Sequence, residues 1–299
     1  MERPPRPAIQ LYSVRESTDS LPDVIRRVAD AGFEGVEFAT RLAANLEKLI
    51  QDEGPDTVAA FIAEPVMGAG GVLVPPATYF DKIQAVLKKY DVLMIADEVI
   101  CGFGRTGNMW GSETFNIQPD ILTCAKALSS SYLPISAVLV SDAVYDGIAE
   151  GTNDGGPPFG HGYTYGGHPV SAAVAVETLK IYDEIDMVGH VQNIGPKMQA
   201  GLRQFQDHPL VGEVRGIGLV AAVEVVEDKA SKKAFDPARK VGQFLADRAQ
   251  DNGMIVRAMN DSIGFTPPLI MKEAEINEMV EKMGKSLDET WAAVQAGEI

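Results

Sequence analysis

Three short apolar runs, each followed closely by a charged side chain, constrain the fold of this chain most strongly. VAAFIA ends at Glu64, VLMIA ends at Asp97, and ILTC is followed two residues later by Lys126. Runs that are uniformly apolar are typical of strands buried on both faces of a parallel sheet. The carboxyl ends of such strands meet at one edge, where open α/β sheets bind ligands. The sequence therefore predicts an α/β fold with a mostly parallel sheet and a ligand site at this edge.

Amphipathic segments between and after these runs predict helices and a division of the chain. Leu42, Leu46 and Ile50 recur at helical spacing before Gly54, and Tyr79–Tyr90 shows the same pattern. From about residue 190 onward, strands and helices no longer alternate regularly. We therefore expect a large domain over 41–190, followed by a small α+β domain over 191–299.

Composition excludes several classes of function. The net charge of -16 argues against binding to nucleic acid or anionic lipid, which would be repelled. The two cysteines, Cys101 and Cys124, lie inside the predicted site region rather than in a spaced disulfide framework, which indicates a reducing compartment. No apolar run approaches the roughly 20 residues that a membrane span needs, and MERPPRPAIQ lacks the apolar region of a signal peptide. We expect a cytoplasmic location.

The charged residues at the strand ends suit an aldehyde cofactor with a pyridine ring. An aspartate such as Asp97 keeps a pyridine nitrogen protonated, and Val99 is placed to pack on the ring. Lys126 lies among apolar and small residues, where loss of hydration favours the neutral amine that attacks an aldehyde. Each residue also has an ordinary interpretation: a turn cap for Asp97, and surface side chains for Lys126 and Glu64.

Two further residues, in the second half of the sequence, are candidates for binding anions. Thr164 lies in the glycine-rich segment GPPFGHGYTYGGHP, whose amides and hydroxyl suit a phosphate. His161 and His168 share that segment, but no cysteine or carboxylate cluster accompanies them to indicate a metal. Arg257 lies inside the apolar run MIVRAM, where its partner is a substrate carboxylate or a structural acid such as Glu64.

Four linked motifs resemble the class III aminotransferases, which use pyridoxal 5'-phosphate on a type I fold. The motifs are AEPVMGAGG, IADEVICGFGRTG, PDILTCAKALSSSYLPISA and FGHGYTYGGHPVSAAVA. The resemblance implies that Lys126 binds the cofactor and moves the substrate proton, and that Asp97 is the partner of the pyridine nitrogen. It further implies that Thr164 binds the phosphate of a neighbouring subunit, so that the protein is a homodimer acting on a small amino donor and a keto acid.

The position of Arg257 resembles one branch of that family. Members acting on ornithine, acetylornithine or 4-aminobutyrate carry their carboxylate-binding arginine just before an aromatic-x-Pro-Pro segment, where this chain has Gly264. In the ω-amino acid:pyruvate branch the arginine matches Arg257. The resemblance therefore implies transamination between an ω-amino acid or amine and pyruvate.

Residues 8–39 predict a βαβ unit, with strands at Ala8–Arg15 and Phe33–Ala39 around a helix, and resemble the start of a sugar phosphate isomerase/epimerase TIM barrel. No further units of that barrel follow. Two features of the class III aminotransferases have no counterpart in this chain: the loop that binds the cofactor phosphate, and the aromatic residue that stacks on the pyridine ring. We expect a fusion or truncation with a junction near Thr40 and Arg41, and an inactive aminotransferase-fold remnant or interaction protein is the alternative function.

Overall fold

The computed structural model describes residues 8–10, 35–156 and 159–299, which form two compact units. The strands are β1 Ala8–Gln10, β2 Ala60–Ala63, β3 Leu93–Asp97, β4 Ile121–Cys124, β5 Ala137–Val140, β6 Val211–Ile217, β7 Val220–Val225, β8 Arg257–Met259 and β9 Ser262–Phe265. The helices are α1 Gly35–Glu53, α2 Tyr79–Lys89, α3 Gly111–Thr114, α4 Asp142–Asn153, α5 Pro169–Glu184, α6 Met187–Arg203, α7 Val241–Asp251 and α8 Glu273–Ala296.

The first unit contains the mostly parallel sheet. It takes the described residues up to Pro65, together with Pro75–Cys101 and Gly111–Lys180. Its strands follow the order β1-β2-β3-β4-β5, in which β1 to β4 are parallel and β5 runs antiparallel to β4. The chain therefore leaves β2, β3 and β4 at the same edge of the sheet.

A compact apolar core joins α1 and α2 to this sheet. Ile50 of α1 and Ile83 of α2 are almost fully buried, together with Phe61 and Met94 of the strands. Burying side chains of this size contributes about 1.5–3 kcal/mol each. The apolar residues that recur at helical spacing in α1 and α2 therefore pack these helices against the sheet.

The second unit is a four-stranded antiparallel sheet with helices packed on it. It takes Val66–Val74, Gly102–Trp110 and Ile181–Ile299, and its strands follow the order β6-β7-β9-β8. Apolar side chains of α6, α7 and α8 form one core with those of the sheet. Met283 and Leu287 of α8 are fully buried in that core.

Arginines fasten two loops of the first half of the sequence to the second unit. Arg215 donates to the carbonyl oxygen of Gly71 from Nε at 2.9 Å and from Nη2 at 2.7 Å. Arg105 donates from Nη1 to the carbonyl oxygens of Leu219 at 3.0 Å and Pro267 at 2.6 Å. Residues 66–74 and 102–110, which follow the ends of β2 and β3, therefore belong to the second unit.

The predicted α/β class with a parallel-containing sheet is confirmed, whereas one predicted strand is wrong. Phe33–Ala39 was expected to be a strand, but Gly35–Glu53 is one continuous helix. Neither glycine nor proline interrupts the sequence between Val36 and Glu53. The helix that is stabilised by packing in its later turns can therefore extend toward its N-terminus without interruption. The helix expected between the two strands of the βαβ unit lies outside the described residues.

Within the described ranges, none of the helices combines the length and the apolar character needed to cross a membrane.

Candidate functional site

The structure brings Glu64, Asp97 and Lys126 to the same edge of the first unit's sheet. Asp97 ends β3 and pairs in register with Thr123 of β4, three residues before Lys126. Ala63 of β2, just before Glu64, pairs with Ala96 of β3. The three candidate residues therefore follow three adjacent parallel strands, as the sequence predicted.

One oxygen of the Asp97 carboxylate is held by the protein. Oδ1 accepts a hydrogen bond from the Val99 amide at 3.1 Å and a long one from the Thr123 hydroxyl at 3.5 Å. The bond from Val99 is the turn cap that we considered as the ordinary role of Asp97. Within the described chain, Oδ2 has no hydrogen-bond partner. The half-buried side chain thus has one oxygen in a structural bond and one available to a ligand donor.

Lys126 combines an unusual backbone conformation with an unpartnered amine. Its φ of 44° lies in the left-handed region, which costs a non-glycine residue about 1–3 kcal/mol and recurs at functional sites. The residue opens the 3-10 turn Lys126–Leu128, and its carbonyl accepts from the amides of Ser129 and Ser131 at 3.3 Å each. In the part of the chain that is described, Nζ makes no hydrogen bond or ion pair. The side chain is exposed, so the expected loss of hydration is not observed.

Val99 and Glu64 are both half-buried beside these residues. The amide of Val99 is fixed by Asp97, and packing of its side chain against a ring stays a prediction. Glu64 makes an interaction within this structure, and its role in a ligand site stays a prediction.

Thr164 lies apart from these strand ends in an exposed, aromatic loop of the first unit. Phe159 stacks on His161 with ring centroids 5.9 Å apart, and His161 meets Tyr163 edge-on at 5.4 Å. Among the described residues, no hydrogen bond joins Thr164 to Asp97 or Lys126. Its phosphate-binding role stays a prediction.

Arg257 lines a cavity of the second unit. It begins β8, is exposed, and has no hydrogen bond or ion pair to any described residue. The structural ion pair that we considered for it is therefore not observed. The cavity has a volume of about 510 Å³ and is lined by apolar residues such as Met254, Phe265 and Met271, and also by the charged residues Glu275, Glu278 and Lys282. An unpaired guanidinium beside apolar surface suits a ligand with a carboxylate and a short carbon chain.

Sequence reasoning missed Glu98, which is completely buried next to Asp97. A second acid directly after a strand-end aspartate was a signal, since two neighbouring residues of an extended chain face opposite ways. The structure shows that Arg105 binds backbone carbonyls.

The comparisons with known proteins agree on one family. The sequence model of the family described as Aminotransferase class-III matches residues 16–287. The chain is similar to gamma aminobutyrate transaminase 1, mitochondrial, of Solanum lycopersicum, with 56% identity over 259 residues that cover 87% of this chain and 50% of the relative. A probable gamma-aminobutyrate transaminase 3, mitochondrial, of Oryza sativa subsp. indica is 53% identical over 254 residues, which cover 85% of this chain and 50% of the relative. The chain thus spans about half the length of these curated relatives.

Solved structures give the same result at the level of the fold. The ω-transaminase of Pseudomonas jessenii in complex with PMP superimposes with a TM-score of 0.86 and 54% identity, covering 89% of this chain and 59% of that one. A structure described as a transaminase with L-Ala gives a TM-score of 0.86 and 53% identity, and the match covers 90% of this chain and 63% of that one.

The isomerase resemblance of residues 8–39 is not supported by these comparisons. The class III match begins at residue 16 and so includes most of that segment. A single βαβ pattern recurs in many α/β folds, and the four-motif match is far more specific.

Proposed function

Because the chain belongs to the class III aminotransferase family, we propose that it transfers an amino group between an ω-amino acid or amine and pyruvate, using pyridoxal 5'-phosphate. One observation carries the proposal. The Asp97 oxygen Oδ2 and the Lys126 amine, which have no partners among the described residues, follow adjacent parallel strands.

The described residues suit two groups of this cofactor, the nitrogen of its pyridine ring and its aldehyde. Asp97 Oδ2 is free to accept a hydrogen bond from a protonated ring nitrogen, and the negative charge keeps that proton in place. Lys126 presents a primary amine, which is the group that joins this cofactor to proteins. When bound, the cofactor supplies an aldehyde that receives the amino group and a charged ring that stabilises negative charge on the neighbouring carbon.

Lys126 also has the chemistry of a general acid and base. With the cofactor bound, Nζ would be the base that takes the proton from the substrate carbon and the acid that gives a proton back in the second half of the reaction. The left-handed backbone at Lys126 supports this role, since the surrounding turn fixes where the side chain starts.

Arg257 is the proposed receptor for the substrate carboxylate. A guanidinium binds a carboxylate through two parallel hydrogen bonds. The absence of a protein partner for Arg257 among the described residues supports this role, as do the apolar residues of the cavity that it lines. Substrates of this class pair a carboxylate with a short apolar chain. The relatives from tomato and rice are named for gamma-aminobutyrate, which is itself an ω-amino acid.

The proposed protein is a homodimer in which Thr164 binds the cofactor phosphate of the neighbouring subunit. The exposure of Thr164 and of the aromatic side chains around it supports an intersubunit position. The cytoplasmic location stays a prediction, and the two curated relatives carry a mitochondrial location in their names.

An absorbance titration of the purified chain with pyridoxal 5'-phosphate tests the proposal. We expect a bound-cofactor band that changes when β-alanine is added and recovers with pyruvate. Lys126→Ala should abolish the band and lower the transfer rate by about 10²-fold or more, the typical contribution of a general base. Lys88→Ala, which removes an exposed lysine from α2, is the matched control and should behave like the wild type. A wild-type chain that shows no band would refute the proposal.

A second candidate function is that of an interaction protein with an aminotransferase fold. Three consecutive apolar residues of β5, Val138, Leu139 and Val140, are exposed and favour a binding surface. Pyruvate-dependent amine transfer by the purified chain would count against this function as the main one.

A further inference from the structure

The carboxylate of Glu98 is enclosed by donors although it has no access to solvent. Oε2 accepts from the Gly111 amide at 2.9 Å, and Oε1 accepts from the Ser112 amide at 2.6 Å and the Ser112 hydroxyl at 2.5 Å. Burial raises the pKa of Glu98, and the bonds from Ser112 and Gly111 lower it in part. Because a buried charge without partners is very costly, this set of donors is a built arrangement. We name Glu98, Gly111 and Ser112 the Glu98 clamp.

The Glu98 clamp packs closely against the residues that follow β2 and β3. A Cβ atom added to Gly111 would lie 2.8 Å from the Cβ atoms of both Cys101 and Pro65. Real Cβ atoms do not approach so closely, so position 111 requires glycine. Pro65 follows Glu64 directly, and Cys101 lies three residues after Glu98. The clamp therefore holds two strand ends of the candidate site together.

The backbone at Glu98 is also fixed from the side of β4. The Glu98 amide donates to the carbonyl of Thr123 at 2.9 Å. Thr123 also pairs in register with Asp97, and its hydroxyl lies 3.5 Å from Asp97 Oδ1. The peptide between Asp97 and Glu98 is thus held by β4 on one side and by the buried carboxylate on the other.

We propose that Glu98 is a positioning residue that orients the Asp97 carboxylate toward the cofactor ring. In an extended chain, neighbouring side chains leave the backbone in opposite directions. Anchoring Glu98 in the interior therefore turns Asp97 toward the open edge of the sheet. The inference rests on the proposed function, because it concerns how Asp97 meets the cofactor.

Glu98→Gln tests the proposal with little change in size. The amide group presents an NH₂ where the clamp needs a second acceptor, so one backbone donor loses its partner. Glu150→Gln is the matched control, since it makes the same change of side chain at an exposed position of α4 in the same unit. In the absence of cofactor, we expect hydrogen exchange at the Gly111 and Ser112 amides to be about tenfold faster in Glu98→Gln only.

Cofactor titration then separates positioning from a purely structural role. Glu98→Gln should bind pyridoxal 5'-phosphate about tenfold more weakly, from the loss of a hydrogen bond to a charged group. It should also move the pH midpoint of the bound-cofactor band, because a displaced Asp97 holds the ring proton less well. Faster exchange with an unchanged affinity and an unchanged midpoint would overturn the positioning role.

Two further outcomes are distinguishable. A wild-type chain without any bound-cofactor band would refute the proposed function itself, whereas a wild-type band that Glu98→Gln reproduces in full would refute only the role of Glu98. If Glu98→Gln does not fold, Ser112→Ala removes the hydroxyl donor and leaves both amides in place. It should change the exchange rate of the amides and the affinity for the cofactor by about threefold or less, in the same direction as Glu98→Gln. The pH midpoint of the bound-cofactor band should also move in the same direction. Wild-type values in this variant would overturn the proposal.

Discussion

Strands β5 and β7 have similar apolar sequences and opposite surroundings. In β5 of the first unit, Val138, Leu139 and Val140 are 63%, 47% and 43% exposed. In β7 of the second unit, Val220, Ala221, Ala222 and Val223 are all 0% exposed. Because β7 lies between two other strands and under helices, its side chains are covered on both faces, whereas in the described chain β5 pairs with β4 alone.

This difference teaches that apolar composition does not by itself decide burial. A strand contributes hydrophobic stabilisation only where other elements cover its faces, and an open apolar edge favours association with other chains. The unit that carries Asp97 and Lys126 is therefore the less completely covered of the two. We expect the second unit to be the more stable one.

The same substitution in the two strands should produce the largest contrast. Val223→Ala removes two buried carbons from the core of the second unit and should lower the free energy of unfolding by about 2–3 kcal/mol. Val138→Ala removes them from an exposed edge and should change it by less than about 0.5 kcal/mol. Urea denaturation followed by circular dichroism measures both values. Equal losses in the two variants would show that the apolar side chains of β5 are covered in solution.

Arg215→Ala should produce the next largest effect, by releasing a loop from the second unit. The guanidinium donates to Glu224 Oε2 at 2.6 Å and to the Ser262 hydroxyl at 2.9 Å, in addition to Gly71. Its loss leaves the half-buried Glu224 without this partner, so we expect a destabilisation of about 1.5–3 kcal/mol.

Limited proteolysis measures where that destabilisation acts. Cleavage within 66–74 should become faster in Arg215→Ala, because the loop loses two hydrogen bonds at Gly71. Arg203→Ala, which removes an exposed arginine at the end of α6, is the control. If the loop of Arg215→Ala resisted cleavage as the wild type does, other contacts would hold it in the second unit.

The sequence predicted the strands that carry the candidate site much better than what covers them. Uniform apolar runs located β3 and β4, and the residues after them pointed to Asp97 and Lys126, because strand periodicity and the position of strand ends are local properties. The helical start of α1 was missed because VEFA fits either a strand or a helix until its packing is known. Glu98 and Arg215 were missed because their partners lie 13 to 14 and 144 residues away in the chain. Contacts of that range depend on the tertiary fold.

The smallest effect that we predict is a pH dependence confined to the second unit. Burial lowers the pKa of His208 below its usual 6.5, an effect that Asp288 opposes and Lys229 reinforces. The ring nitrogen Nδ1 accepts a hydrogen bond from the Leu210 amide at 3.1 Å, and protonation at Nδ1 would remove that acceptor. Between the folded-state pKa and 6.5 the unfolded chain binds more protons, so the contribution of His208 to stability is present above pH 6.5 and falls as the pH decreases through this window.

Thermal unfolding of the wild type and His208→Asn between about pH 8 and about pH 5 measures this contribution. The asparagine oxygen retains an acceptor for Leu210 without titrating in that range. The unfolding midpoint of the wild type should fall more than that of the variant over this range, by about 2 °C or less. The difference should appear in the transition of the second unit, because His208 belongs to that unit and lies between α6 and β6 in the sequence. A steeper fall in the variant would mean that the charged form of His208 is the one stabilised by Asp288, and the sign of the burial argument would be wrong for this residue.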